Sequence, residues 1–208
     1  MINLKKEEIN LFLHKIKEDP KHFNKYLFYK LQYFYGRRSQ EIATLKMSDI
    51  NFNKKEITFE LAKKKQDTKL TLIMPDDIAK EIKQQFEKNA KTKNDEISNE
   101  IKQESENDTK TQEDYIFIEN RAKNDGFLRN MRTYLERNSN KLIKGLTDKD
   151  INLNTHDFRR LRGQHLYLAG NDLEIIQSLY AHNSLDQTIE YLQIKEIEVN
   201  KMLLVDIS

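Results

Sequence analysis

Cysteine is absent from these 208 residues, which excludes disulfides, thiolate-bound zinc and a cysteine nucleophile and is consistent with a reducing compartment. No stretch approaches the roughly eighteen consecutive apolar residues that a membrane helix requires. The opening residues, MINLKKEEIN, lack the apolar core and small-residue cleavage site of a secretory leader. The expected location is therefore the cytoplasm, without membrane contact. The chain also contains no phosphate-binding glycine loop, no HExxH pair and no tight group of carboxylates, so neither a cofactor nor a metal is expected.

What is present is charge. Charged residues make up 34% and hydrophobic residues 37% of the chain, enough apolar material for one core under a densely charged surface. The length suits a single domain. A net charge of +2 is small for a protein whose affinity would rest on lysine and arginine against phosphate, but the distribution is uneven. Residues 88 to 113, KNAKTKNDEISNEIKQESENDTKTQE, hold seven acids against five lysines, a surplus of two negative charges, so the rest of the chain carries +4. With no aromatic and two isoleucines in that run, burial cannot offset the entropy of ordering, and it is expected to be a flexible insertion.

Apolar periodicity divides the remainder. Ile9, Phe12, Leu13 and Ile16 follow helical spacing up to Pro20. Residues 21 to 35, KHFNKYLFYKLQYFY, are apolar or aromatic nearly all round, as expected of a helix buried mid-domain, and Gly36 ends it. A third helix near Ser39 turns Ile42, Ala43 and Leu45 inward. EITFEL and TKLTLIM then alternate, predicting an antiparallel pair or small sheet closed by Pro75. Helical spacing resumes at Ile78, Ile82 and Phe86; after the insertion, YIFI is a short buried segment, and Phe127, Met131 and Leu135 mark another helix. The fold expected is mainly α with a small antiparallel sheet.

The stretch THDFRRLRGQHLYLAG, residues 155 to 170, concentrates donor side chains. Thr155 is the expected N-cap, Phe158, Leu161 and Leu168 the inward stripe, and Gly170 the left-handed terminator. His156 and Arg159 are then three apart on one side of the first turn. A helix from Asn171 or Asp172 is expected to bury Leu173, Ile176 and Leu179, and another starts at the capping-box sequence Ser184-Leu-Asp-Gln187. Taken alone, Arg159, Arg160 and Arg162 fit a solvated helix face. His165, on the Leu161 and Leu168 side, reads as a core or half-buried histidine, and most of the nine tyrosines as packing residues.

Residues 155 to 192 resemble the second conserved box of the tyrosine recombinases, the phage integrase family: His-x-x-Arg, then a Gly-His or Gly-Trp pair, then a tyrosine nine residues later. His156 and Arg159 supply the first pair, His182 stands 23 residues after Arg159, and Tyr191 follows nine after His182. Upstream, GRRSQEIATLKMSDI resembles the first box, Gly-x-Arg-x-x-Glu, which selects Arg38 and places Glu41 at the glutamate. KKKQDTKLTLIMP resembles the hairpin that carries the family's lysine, with Lys65 favoured and Lys64 the alternative. Ala181 stands where the family has glycine, and Arg37 where it has an apolar residue.

The resemblance spans roughly residues 21 to 195 and implies a catalytic domain, with residues 1 to 20 as a helix or linker remnant and residues 196 to 208 as a tail that exchanges between protomers. It implies cleavage and rejoining of double-stranded DNA through a 3′-phosphotyrosyl intermediate on Tyr191. Arg38 and Arg159 would clamp the phosphate bidentately, and His156 and His182 would add hydrogen bonds to it. Lys65 would protonate the leaving oxygen, while Glu41 would orient an arginine. The partners implied are DNA and other copies of the chain in a synaptic tetramer on that DNA, with weak, salt-sensitive binding by this domain alone. Two other expectations share these residues: a type IB topoisomerase or telomere resolvase, and a DNA-binding accessory protein that has lost catalysis.

Overall fold

Helix α1 (Lys6–Lys17) forms because Ile9, Phe12, Leu13 and Ile16 recur at helical spacing, and all four are buried. The computed structural model of the chain describes residues 2–61, 68–100, 114–118 and 123–205. A 3₁₀ turn at Pro20–His22, capped by the Asp19 carboxylate, leads into α2 (Phe23–Tyr35), which therefore starts two residues later than the composition suggests. Tyr26, Leu27, Phe28, Tyr29, Leu31, Tyr33 and Tyr35 are all buried, as a nearly uniform apolar helix requires. Gly36 ends it at φ +61°.

The short helix α3 (Ser39–Ala43) precedes a 3₁₀ turn at Met47–Asp49 and the sheet. Strands β1 (Ile50–Asn51), β2 (Glu56–Glu60) and β3 (Lys69–Ile73) pair antiparallel in that order, with Ile57 opposite Ile50 and Leu72. β2 buries Ile57 and Phe59, while its partner β3 stays half-exposed, so one face of the sheet carries the burial. The two-residue β1 lay below what alternation can reveal. The segment 114–118 bridges back beside the turn after α3: Met47 N donates to the Asp114 carbonyl at 2.9 Å and Ile116 N to the Leu45 carbonyl at 2.9 Å.

Helix α4 (Asp76–Glu100) continues well into the run expected to be flexible. Residues 76 to 100 contain neither proline nor glycine, so polar composition alone does not stop a helix already started on Ile78 and Ile82. Residues 101 to 113 of the expected insertion lie outside the described residues. α5 (Asn124–Thr147) buries Leu128, Met131, Leu135 and Ile143. α2 packs against α1, α3, α4 and α6 (Thr155–Leu168), and α1 packs against α5. Helix α1 lies in the main core, where the Phe12 ring meets Phe158 at 6.1 Å and Ile9 is fully buried.

A second, smaller core joins α7 (Leu173–Tyr180), α8 (Leu185–Leu192) and α9 (Ile194–Val205) through Ile176, Tyr180, Leu192, Ile194 and Ile197. Leu173 and Leu179 are only half-buried, and Tyr180 takes the central place expected of them. Leu168, expected to face inward, is half-exposed because it closes the last turn of α6. Among the described residues no helix is long and apolar enough to cross a membrane.

Candidate active site

The N-cap of α6 is Asn154, one residue before the expected Thr155; its side chain accepts from His156 N at 2.9 Å, and the Asp157 carboxylate accepts from Asn154 N at 2.7 Å. An asparagine cap with an acidic third residue satisfies the first orphan donors and fixes the helix phase. Phe158 then stacks on Tyr29 with centroids 5.1 Å apart, which turns Arg159 toward the junction of the two cores. Arg159 is 2% exposed. Its Nη1 donates to the Gly36 carbonyl and its Nη2 to the Tyr180 carbonyl at 2.8 Å. Burial lowers its pKa, and among the described residues its guanidinium donates to carbonyls and pairs with no carboxylate.

Two glycines make this approach possible. A Cβ on Gly36 would lie 2.8 Å from the Tyr180 hydroxyl, and one on Gly163 would meet the same oxygen at 3.0 Å and run into Leu192. The chain reversal after α2 then presents Arg37 and Arg38. Arg38 Nη1 donates to Glu41 Oε1 at 3.0 Å, and the Arg38 backbone N–H donates to Oε2 at 3.0 Å. Glu41 is buried, so a single carboxylate caps α3 and holds the arginine that precedes it. Arg38 remains partly exposed, its side chain 21% open.

His182 follows Ala181, which ends α7 at φ +51°. The left-handed turn swings the imidazole into contact with Thr188: Nδ1 lies 3.0 Å from the buried Oγ1. Burial first, then the charges of Arg159, Arg38 and Arg37, push His182 down to about 4, so it is neutral at pH 7. The Tyr191 ring stands edge-on to it at 5.4 Å and lies 5.9 Å from the Arg159 guanidinium. Burial raises the Tyr191 hydroxyl above its ordinary value, against the pull of Arg159, Arg160 and Arg38. In the free chain this phenol is therefore protonated at neutral pH.

Arg38, Arg159, His182 and Tyr191, separated by up to 153 positions in sequence, thus share one locality. His156 joins through its backbone, with the Tyr191 hydroxyl 3.5 Å from its carbonyl, while the residue itself is exposed at the helix start. Lys65 and its alternative Lys64 lie outside the described residues, between Leu61 and Thr68, whose backbones pair at 2.9 Å. Arg160 is ion-paired with Asp157, and Arg162 sits over Tyr33 and Phe34. His165 is held at both nitrogens, by Tyr33 Oη at 2.7 Å and the Leu4 carbonyl at 2.8 Å, the packing role expected of it. Among the described residues no three His, Asp or Glu side chains gather as a metal would require.

Three neighbours were not foreseen. Tyr180 supports Arg159, Thr188 holds His182, and Arg37 is buried beside Glu41. Only Arg37 left a signal in the sequence, as a charged residue at a position where the resemblance leads one to expect an apolar one.

The site and fold define a class. Residues 3–197 match the model of the phage integrase family, and the chain belongs to that family. No curated protein matches it. Among solved structures it is similar to the XerA recombinase (TM-score 0.60, 18% identity, covering 97% of this chain and 64% of that one). It is also similar to the XerH site-specific recombinase bound to a palindromic difH substrate in a post-cleavage complex (TM-score 0.61, 20% identity, 99% and 53%). A third similar structure is the Tn1549 transposon integrase in complex with transposon right-end DNA (TM-score 0.64, 16% identity, 95% and 65%). The chain spans between 53% and 65% of the length of these three chains, and at such identities the likeness is one of fold.

Proposed function

We propose that this chain is the catalytic domain of a tyrosine-type site-specific DNA recombinase. The observation that carries this is the convergence of two arginines, a neutral histidine and a tyrosine at the junction of the two cores, with Tyr191 5.4 Å from His182 and 5.9 Å from Arg159. A structural arginine in so dry a place would normally have a carboxylate partner. Arg159 instead spends two donors on backbone carbonyls that orient it and keeps its charge for an anion.

The substrate is double-stranded DNA. Arg38 and Arg159 bind the nonbridging oxygens of the scissile phosphate, and His182, neutral, donates one hydrogen bond to it. Tyr191 loses its proton as its oxygen bonds to phosphorus; His156 assists that transfer. The bond from phosphorus to the 5′ oxygen breaks, the electron pair leaves with that oxygen, and Lys65 protonates it. The 3′-phosphotyrosine conserves the bond, so a 5′ hydroxyl can reverse the step on another strand without a cofactor. Strand exchange of this kind, in integration, excision or Xer-type resolution, requires several copies on DNA, and we assign the end of α9, where Val199 and Met202 are exposed, to contacts between them.

The test is a nicked suicide substrate on a denaturing gel. Wild type should form a covalent protein–DNA band that Tyr191→Phe does not form. A band that survives Tyr191→Phe, or no band from wild type that still shifts DNA at low salt, would overturn the assignment; the second outcome would favour an accessory DNA-binding protein. Products from two-site and supercoiled substrates separate recombination from relaxation.

A further inference from the structure

Arg37 is a buried charge that this chemistry leaves unused. Its side chain is fully buried, Nε donates to the Tyr35 carbonyl at 3.2 Å, and Nη1 and Nη2 have no hydrogen-bond partner among the described residues. The opposite charge placed against it is Glu41, with Oε2 4.0 Å from Nε. That carboxylate is already engaged by the Arg38 side chain and backbone, each at 3.0 Å. A guanidinium in this position is destabilising, because its lost hydration is not replaced. Burial and the like charges of Arg159 and Arg38 push it down to about 10, which still leaves it charged at neutral pH.

Charge balance gives the arrangement a use. Among the described residues, Arg38, Arg159 and Glu41 together carry one net positive charge, and Arg37 makes it two. A phosphodiester carries one negative charge. When the tyrosine oxygen has added and the 5′ oxygen has not yet left, the phosphate approaches two. A fixed field matched to the second state raises the rate more than the affinity, and it acts strongly in a site that excludes water. Arg37 is too deep to touch DNA, so it works through this field and by drawing Glu41 partly away from Arg38.

We propose that Arg37 is a positioning residue that supplies the second uncompensated positive charge behind the phosphate site; this rests on the recombinase function proposed above. The same guanidinium helps Arg159 and Arg38 keep His182 neutral, which offers a measurement that needs no DNA. Glu41 and Tyr180 are further titratable groups that act on Arg37.

The experiment compares Arg37→Met with wild type in three ways: melting temperature, the His182 titration followed by NMR, and the single-turnover rate of adduct formation at saturating DNA. Arg37→Met should melt higher, its His182 should titrate nearer the ordinary value, and adduct formation should slow by about tenfold. Arg37→Lys, which keeps the charge, should recover most of the rate. An unchanged rate in Arg37→Met, or an equal loss in Arg37→Lys, would refute the proposal. If Arg37→Met does not fold, the pair Arg37→Lys and Arg37→Gln asks the same question, and equal rates for the two would refute it. If wild type forms no adduct, the recombinase assignment fails while the His182 titration still reads the field of Arg37. An unmoved titration in Arg37→Met would then refute that field separately.

Discussion

The Arg159 guanidinium sits over the Tyr180 ring at 4.2 Å, and the two residues are tied twice more through their backbones. Arg159 Nη2 donates to the Tyr180 carbonyl at 2.8 Å, and the Tyr180 hydroxyl donates to the Arg159 carbonyl at 2.6 Å. The tie joins α6 to the end of α7 at the point where the small core meets the site. Tyr180→Phe keeps the ring beneath the guanidinium and removes one buried hydrogen bond, and the Arg159 carbonyl is left to the helix. Stability should fall by about 1 kcal/mol, read as a lower denaturant midpoint at unchanged slope. A midpoint equal to wild type would mean that the hydroxyl contributes nothing to the junction.

Ala181 adopts φ +51° to end α7 and aim His182. A side chain in that left-handed conformation is strained, and the glycine seen at this place in the resembling motif removes the strain at some cost in unfolded-state entropy. The difference favours the replacement. Ala181→Gly should raise stability by about 0.5–1 kcal/mol and preserve adduct formation, because the backbone that places His182 is unchanged. Loss of stability in thermal or chemical unfolding would show that the alanine methyl packs more usefully than its φ suggests.

Much of the fold was legible because burial follows period. Ile9, Phe12, Leu13 and Ile16 lie on one helix face and are all buried; the aromatic run 21 to 35 became the central helix. The elements that escaped depend on distant pairing. β1 is two residues held by Ile57 and Glu56, and α4 runs to Glu100 through a stretch without proline or glycine. In the site, Arg38, Arg159, His182 and Tyr191 could be picked out because their types and order form a pattern along the chain. Tyr180 and Thr188 carry no such pattern. Each acts by a contact made only when α7 and α8 fold against α6, and a buried tyrosine or threonine looks like any other until then.

Thr188 is fully buried, with Oγ1 3.0 Å from His182 Nδ1 and 3.4 Å from the Ser184 carbonyl. When the hydroxyl turns its one hydrogen from the Ser184 carbonyl to Nδ1, the nearer acceptor, the single proton of the neutral imidazole sits on Nε2, the nitrogen left to meet a phosphate. Thr188→Val keeps the shape, removes the donor and leaves Nδ1 without a partner. It should lower stability by about 1–2 kcal/mol and slow adduct formation by roughly tenfold or more, whereas Thr188→Ser should retain most of both. The decisive comparison is the single-turnover rate of the two variants. Equal rates would remove the hydroxyl from any part in orienting His182.

His182 also sets a pH dependence whose sign follows from its environment. Its folded value of about 4 lies below the ordinary 6.5, so between these limits the unfolded chain binds a proton that the native site refuses. Stability from this residue is therefore complete above pH 6.5 and is lost progressively as pH falls toward 4. Burial lowers His165 as well, which adds a slope of the same sign. Glu8 and Asp77 are carboxylates held below their ordinary values, so their losses come at lower pH, and the upper part of the window belongs to the histidines. His182→Asn should flatten, without abolishing, the decline in unfolding midpoint over that window at constant salt. Parallel curves for variant and wild type would place the His182 proton affinity near its ordinary value, and with it the charge of the three arginines too far away to govern the site.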